Sequence, residues 1–378
     1  MSPTLSLAID LISRPSVTPE DGGCQEVLIQ RLESLRFLIE RFPQKGVTNF
    51  WARHGQEEPL LVFAGHSDVV PPGAMERWST PPFTPILKDD FLCGRGAADM
   101  KGGLAAMLTA VESFVLEHPN HAGSIGFLVT SDEEGTALNG TRYVMEQLEA
   151  RGEHISACVL GEPTSEDKIC DCVKNGRRGS LNGVLKVRGI QGHIAYPHLS
   201  KNPIHEAAPA LLELIATEWD RGNEHFPPTG FQISNIHAGE GTLNIIPGEL
   251  TVLFNFRFST AVTAEALQNR VEAVIQRHCK KYQLSWSSSG DPFLTSEGKL
   301  LDVVREAILG VTGYPPRFST AGGISDGRFI APTGAQVVEI GPLNATIHQV
   351  NERVAIEDLE VLHQVYRRIL EEFLAQHN

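Results

Sequence analysis

Short apolar runs alternate along the first half of the chain with stretches whose apolar residues recur at helical spacing. Leu60 to Ala64, Ile125 to Thr130 and Ala157 to Leu160 are predicted strands, each a brief apolar run. Between them, Leu104 to Leu116 and Gly140 to Leu148 carry the period of helices. Gln336 to Ile340 repeats the strand signature near the carboxyl end, and Ile356 to Leu374 has the spacing of a final amphipathic helix. Strands alternating with helices predict an α/β layer fold.

The middle of the chain follows another rule. Leu181 to Val187, Phe231 to Ile236 and Thr251 to Phe258 alternate apolar and polar residues, as antiparallel strands with one solvated face do. Helix candidates Pro203 to Trp219 and Ala264 to His278 accompany them. The pattern predicts an inserted α+β domain over residues 179–292, interrupting a larger α/β domain built from 1–178 and 293–378. No internal repeat or low-complexity tract is visible.

Composition narrows the class. The chain has 378 residues, more than one ordinary hydrophobic core holds. Hydrophobic residues at 41% and charged residues at 21% exclude a disordered or fibrous protein. The 32 basic and 46 acidic residues leave a net charge of −14, which argues against nucleic acid or an anionic membrane as a partner. Six scattered cysteines form no CxxC pair and read as thiols of a reducing compartment. Met1 to Pro15 lacks the basic start of a signal peptide, and no apolar run reaches the ~20 residues of a membrane span. A soluble cytoplasmic protein is expected.

The chemistry gathers behind the strands. His66 follows LVFAG, Glu133 and Glu134 follow GFLVTSD, Glu162 follows CVLG, and His348 follows VVEIGPLNATI. The carboxyl ends of strands are where α/β sheets place their ligands. Asp99 joins from GRGAADMKGG, a glycine-rich loop leading into a helix. Each residue alone reads more often as a loop or surface residue than as a ligand, Asp99 also as a helix cap and Asp132 to Glu134 as a solvated acidic turn. Together, two imidazoles and four carboxylates suit zinc, which takes both donor types. Two ions fit if one carboxylate bridges, and such a pair activates water and polarises a substrate carbonyl. That is the chemistry of amide hydrolysis. Of the adjacent Glu133 and Glu134, one can ligate while the other carries protons.

The segments GHSDVVPPG (65–73), GRGAADMKGG (94–103), TSDEEG (130–135), GEPT (161–164) and NATIH (344–348) resemble, in order and over nearly the whole chain, those of the co-catalytic zinc aminoacylase and carboxypeptidase family. Within it, KNGRRGSL (174–181), GHIAYPH (192–198) and GGISDGRFI (322–330) are similar to the branch that cleaves N-succinyl-LL-2,6-diaminopimelate to succinate and LL-2,6-diaminopimelate in lysine biosynthesis. The resemblance implies a zinc-peptidase catalytic domain with an inserted dimerisation domain. It implies two zinc ions per subunit, with cobalt possible in one site. One would take His66 and Glu162, the other Glu134 and His348, with Asp99 bridging and Glu133 as general acid/base. Asp68 would orient His66. His193 would reach the partner subunit's site in a homodimer and stabilise the oxyanion. Arg178 and Arg257 would meet substrate carboxylates, with Ser180, Tyr196, Asn244, Gly323 and Asn344 as further contacts. A cis peptide is implied between Asp99 and Met100. The chain departs from the pattern at Ile324, where the resemblance implies Thr, and isoleucine offers no hydroxyl hydrogen bond there.

Other readings compete. Gly323 to Gly327 satisfies the G-x-S-x-G spelling of a serine hydrolase, although no apolar strand precedes Ser325. A binding protein could keep the fold without the chemistry. Within the family, an acetylornithine deacetylase or another aminoacylase would share the ligand set.

Overall fold

The computed structural model describes residues 1–374, so positions 375–378 of the expected catalytic segment lie outside the described residues. Its first predicted strand runs from Leu60 to His66 with every residue buried. Leu61 and Phe63 join the large core cluster together with Leu104, Leu108, Leu362 and Ile369 of two helices, while Leu60, Val62 and Ala64 between them are buried as well. Burial on both sides is what a continuous apolar run signals in a parallel strand.

Eight strands form the main sheet, in the order Leu38–Arg41, Asn49–His54, Ser124–Thr130, Leu60–His66, Ala157–Leu160, Gln336–Glu339, Cys172–Lys174 and Arg317–Ser319. Leu60–His66 runs parallel to both neighbours, and Ala157–Leu160 is parallel to Gln336–Glu339. Asn49–His54 is antiparallel to Ser124–Thr130. Helices Pro3–Ile12, Gly102–Glu117, Lys299–Thr312 and Ile356–Phe373 pack against one another and carry the core cluster, and Thr141–Ala150 packs on the strands Asn49–His54 and Ser124–Thr130.

Parallel register aligns the carboxyl ends of the strands. His66 pairs with Thr130, and Ala64 with Leu160, so the chain leaves three neighbouring strands at one level. Helix Gly102–Glu117 starts against the end of one of them: a Cβ on Gly103 would lie 2.3 Å from the carbonyl oxygen of Gly161. Only glycine permits that approach. It brings the preceding residues, Asp99 among them, beside Glu162. The Asp99–Met100 peptide bond is cis, as the resemblance implies.

The chain divides into two compact units. The sheet above belongs to the first; the second comprises Arg177–Phe293 with Thr320–Ile324. In the second, four antiparallel strands run in the order Gly230–Ala238, Glu249–Phe258, Gly179–Arg188 and Tyr282–Gly290. Leu250, Val252, Phe254, Phe256 and Phe258 form one buried face and pack with Leu214 and Val271 of helices Pro203–Ala216 and Ala264–His278. The first of these helices ends before the expected Trp219, because Thr217 turns extended and its hydroxyl donates to the Glu213 carbonyl. No helix among the described residues is long and apolar enough to cross a membrane.

Candidate metal centre

Six residues behind the aligned strand ends converge in the first unit. The Nε2 atom of His66 lies 3.2 Å from Asp99 Oδ1 and 3.8 Å from Glu162 Oε1. The Nε2 atom of His348 lies 2.9 Å from Glu134 Oε1 and 3.2 Å from Asp99 Oδ2. Asp99 therefore turns one oxygen to each imidazole. Donor atoms of His66, Asp99 and Glu162 lie within 4.8 Å of one another, as do those of Asp99, Glu134 and His348, and those of His66, Glu133 and Glu134.

The electrostatics call for cations. Burial pulls the pKa of His66 down, but Asp99, Glu162 and Asp68 around it outweigh this and drive it well above its ordinary value. Hydrogen bonding to Asp99 and Glu134 pushes His348 up to about 10. Burial would raise Asp99, yet His348 and His66 hold its carboxyl well below the usual range. The donor set fits a divalent ion: Nε2 of His66 and Oδ1 of Asp99 are buried and face each other without a hydrogen bond. Buried polar atoms of that kind are rare, and lone pairs aimed at one another repel unless a cation lies between them.

Asp68 acts on His66 differently from the expectation. The His66 Nδ1–H donates to the main-chain carbonyl of Asp68 at 2.9 Å, which leaves Nε2 as the lone-pair nitrogen. The Asp68 carboxylate stands 3.6 Å from His66 Nδ1 and accepts from the amides of Glu134 at 3.1 Å and Glu133 at 3.4 Å. One residue thus sets the imidazole tautomer with its backbone and the Glu133–Glu134 turn with its side chain. Burial raises the Asp68 carboxyl to about 6. Glu133, partly exposed, has its pKa raised well above the ordinary value by burial and then by the charge of Glu162. A carboxyl whose hold on its proton is strengthened in this way suits acid/base work.

The remaining predicted residues divide between the units. Asn344 is in the first, its amide bonded to the Ser165 carbonyl at 3.0 Å. In the second, Ser180 and Arg257 are register partners on adjacent strands. His193 pairs with Ile245 in a short ribbon, Tyr196 N donates to the His193 carbonyl, and Ile194 N donates to the Asn244 carbonyl. His193, Tyr196 and Asn244 therefore form one exposed group. The Nε of Arg178 is buried without a hydrogen-bond partner. Gly323 and Ile324 lie in a loop held by Arg177, whose Nη1 donates to the Ala321 carbonyl at 3.2 Å.

The profile of peptidase family M20/M25/M40 matches residues 62–372. The chain belongs to that family. A family relative from Methylobacillus flagellatus, named succinyl-diaminopimelate desuccinylase, is 60% identical over 374 residues, 99% of this chain and 100% of its own. One of the same name from Nitrosococcus oceani is 59% identical over 376 residues and all of both chains. Among solved structures, an M20 metallo-carboxypeptidase from Sulfolobus solfataricus superposes with a TM-score of 0.84 at 17% identity, covering 100% of both chains. A dinuclear metal-binding M20 peptidase from Bacillus subtilis superposes at 0.72 and 18% identity, covering 98% of this chain and 97% of its own. These likenesses show the family fold.

The serine-hydrolase spelling fails in the fold. Ser325 is buried and its hydroxyl donates to the buried Glu339 carboxylate, so no exposed nucleophile is presented. Sequence reasoning missed Arg95, Arg177 and Glu352, all buried. Glu352 follows no strand and matches no motif segment, and only its burial marks it.

Proposed function

We propose that the chain is a metal-dependent amide hydrolase that cleaves N-succinyl-LL-2,6-diaminopimelate to succinate and LL-2,6-diaminopimelate in lysine and diaminopimelate biosynthesis. The observation that carries the hydrolase reading is Asp99, with one carboxylate oxygen toward each of two imidazoles. The substrate reading rests on relatives of that name at 59–60% identity along the full chain.

In this reading His66, Asp99 and Glu162 hold one ion, and Asp99, Glu134 and His348 hold the second, zinc in both with cobalt accepted in one. Bound there, two such ions supply Lewis acidity to the scissile carbonyl and acidify the attacking water. Glu133 takes the proton from that water and returns it to the departing amine. Arg178 and Arg257 meet substrate carboxylates, an assignment supported by the unsatisfied buried Nε of Arg178. Ser180, Tyr196, Asn244, Gly323 and Asn344 complete the substrate contacts. His193 donates to the oxyanion in the site of a second copy of the chain.

A homodimer is supported by apolar surface on the second unit. Leu212 and Ile215 on helix Pro203–Ala216 and Ile236 on the strand Gly230–Ala238 are exposed at 68%, 63% and 57%. Surface of that kind marks protein contacts. The free thiols of all six cysteines suit the reducing cytoplasm.

The test is a comparison of substrates. The purified, metal-loaded protein should release succinate from N-succinyl-LL-2,6-diaminopimelate with a kcat/KM at least about 10²-fold above that for acetylornithine deacetylation. Equal or reversed preference would overturn the substrate assignment.

A further inference from the structure

Two loops carry the ligands that strands do not fix. Residues 94–101 bring Asp99, and 344–352 bring His348. His348 is exposed at half its side-chain surface and sits at φ 59, in the left-handed region. Neither packing nor an easy backbone conformation holds it there. Both loops meet at one carboxylate. Glu352 is fully buried; its Oε2 accepts from Arg95 Nη1 at 2.7 Å and Gly96 N at 2.9 Å, and its Oε1 accepts from Ala98 N at 2.9 Å and Asp99 N at 3.0 Å. Arg95, 1% exposed, also donates from Nη1 to the Gln349 carbonyl at 3.1 Å, one residue beyond His348. Gly94 N donates to the Glu352 carbonyl at 2.9 Å, and the Arg95 guanidinium lies over the Trp78 ring.

We propose that Glu352, clamped by Arg95, is a positioning residue that fastens the Asp99 loop to the His348 loop and so sets how tightly the ion at Asp99, Glu134 and His348 is held. Four donors on two oxygens leave the carboxylate no freedom to rotate, and one donor is the amide of Asp99 itself. The other end of the fastening is the turn that carries His348. Because Arg95 neutralises Glu352, the pair locates two ligands without adding net charge beneath them. The first ion site shares only Asp99 with this device, since His66 and Glu162 come from strand ends. The two sites therefore depend on it unequally. The inference rests on the two-ion reading above.

The experiment measures zinc binding by chelator competition, together with amide hydrogen exchange in the metal-free protein, for the parent, Glu352→Gln, Arg95→Lys and the core control Ile308→Val. Glu352→Gln keeps the side chain's shape but replaces one acceptor oxygen with an amide group. It should weaken the second ion about 10–100-fold and the first far less, and speed exchange at Gly96, Ala98 and Asp99. Arg95→Lys keeps the charge but loses the planar guanidinium that bonds both Glu352 and the Gln349 carbonyl, so its affinity should lie between. Ile308→Val should lower stability without separating the two affinities. Parent-like affinity in Glu352→Gln, or a loss equal at both sites, would overturn the proposal. Should that variant fail to fold, unchanged second-site affinity in Arg95→Lys would overturn it equally. A parent that takes up fewer than two ions would sink the two-ion reading and the affinity claim with it, and exchange at the three amides would then judge the fastening alone.

Discussion

Replacing Gly103 with alanine perturbs the site without touching a ligand. The new Cβ would lie 2.3 Å from the Gly161 carbonyl oxygen, 3.2 Å from its carbon and 3.4 Å from its Cα. An ordinary carbon–oxygen contact is about 3.3 Å, so helix and strand must part by about 1 Å. Nothing in the contact is a flexible side chain, and all of the strain falls on backbone. Overpacking of this kind costs about 1–3 kcal/mol. The displaced elements carry Asp99 and Glu162, so the separation is also a shift between two donors of the first ion in the proposed reading. A 1 Å misplacement at a reacting centre costs about 10²-fold in rate. Urea unfolding and kcat should be measured beside Gly230→Ala, whose Cβ would meet nothing within 4 Å. Gly103→Ala should unfold at lower urea and lose about 10²-fold in kcat, while Gly230→Ala matches the parent. A Gly103→Ala protein with the parent's midpoint and rate would refute the close approach as the reason for glycine there.

Glu133→Gln should keep both ions yet lose about 10²–10⁴-fold in kcat, and near-parent turnover with confirmed metal content would remove Glu133 from proton transfer. His66→Ala and His348→Ala should each weaken a different ion in metal titrations, and identical profiles for the two variants would contradict the two-site assignment. Inactive Glu133→Gln chains exchanged with inactive His193→Ala chains should regain activity, because one mixed site then combines an intact Glu133 with the partner's intact imidazole. Demonstrated exchange without activity would confine His193 to its own chain.

The elements readable from the sequence are those whose burial leaves a pattern, a continuous apolar run where a strand is buried on both sides and a helical period where one face is buried. Ala157–Leu160 and Ala264–His278 form over the ranges their patterns predict, and Leu60–His66 extends its prediction only by Gly65 and His66. Elements whose stability comes from partners were not readable. Leu38–Arg41 is an edge strand with little burial, and Tyr282–Gly290 carries a run of serines whose strand character comes from pairing with Gly179–Arg188. Thr320–Ile324 joins the second unit through contacts distant in sequence, which no local period reports. Of the site, His66, Asp99, Glu133, Glu134, Glu162 and His348 stood out by their positions after strands or in a glycine-rich loop. The hydrogen bond of His66 to the carbonyl of Asp68, in place of its carboxylate, is a matter of backbone geometry that residue types do not encode. Glu352 is a single carboxylate whose four donors come from another loop, a role invisible without the fold.

Anomalous scattering from crystals grown with zinc tests the central claim most directly. The account predicts two peaks about 3.5–4 Å apart, one touching His66, Asp99 and Glu162 and the other Asp99, Glu134 and His348. A single peak, or a pair that does not share Asp99, would contradict it.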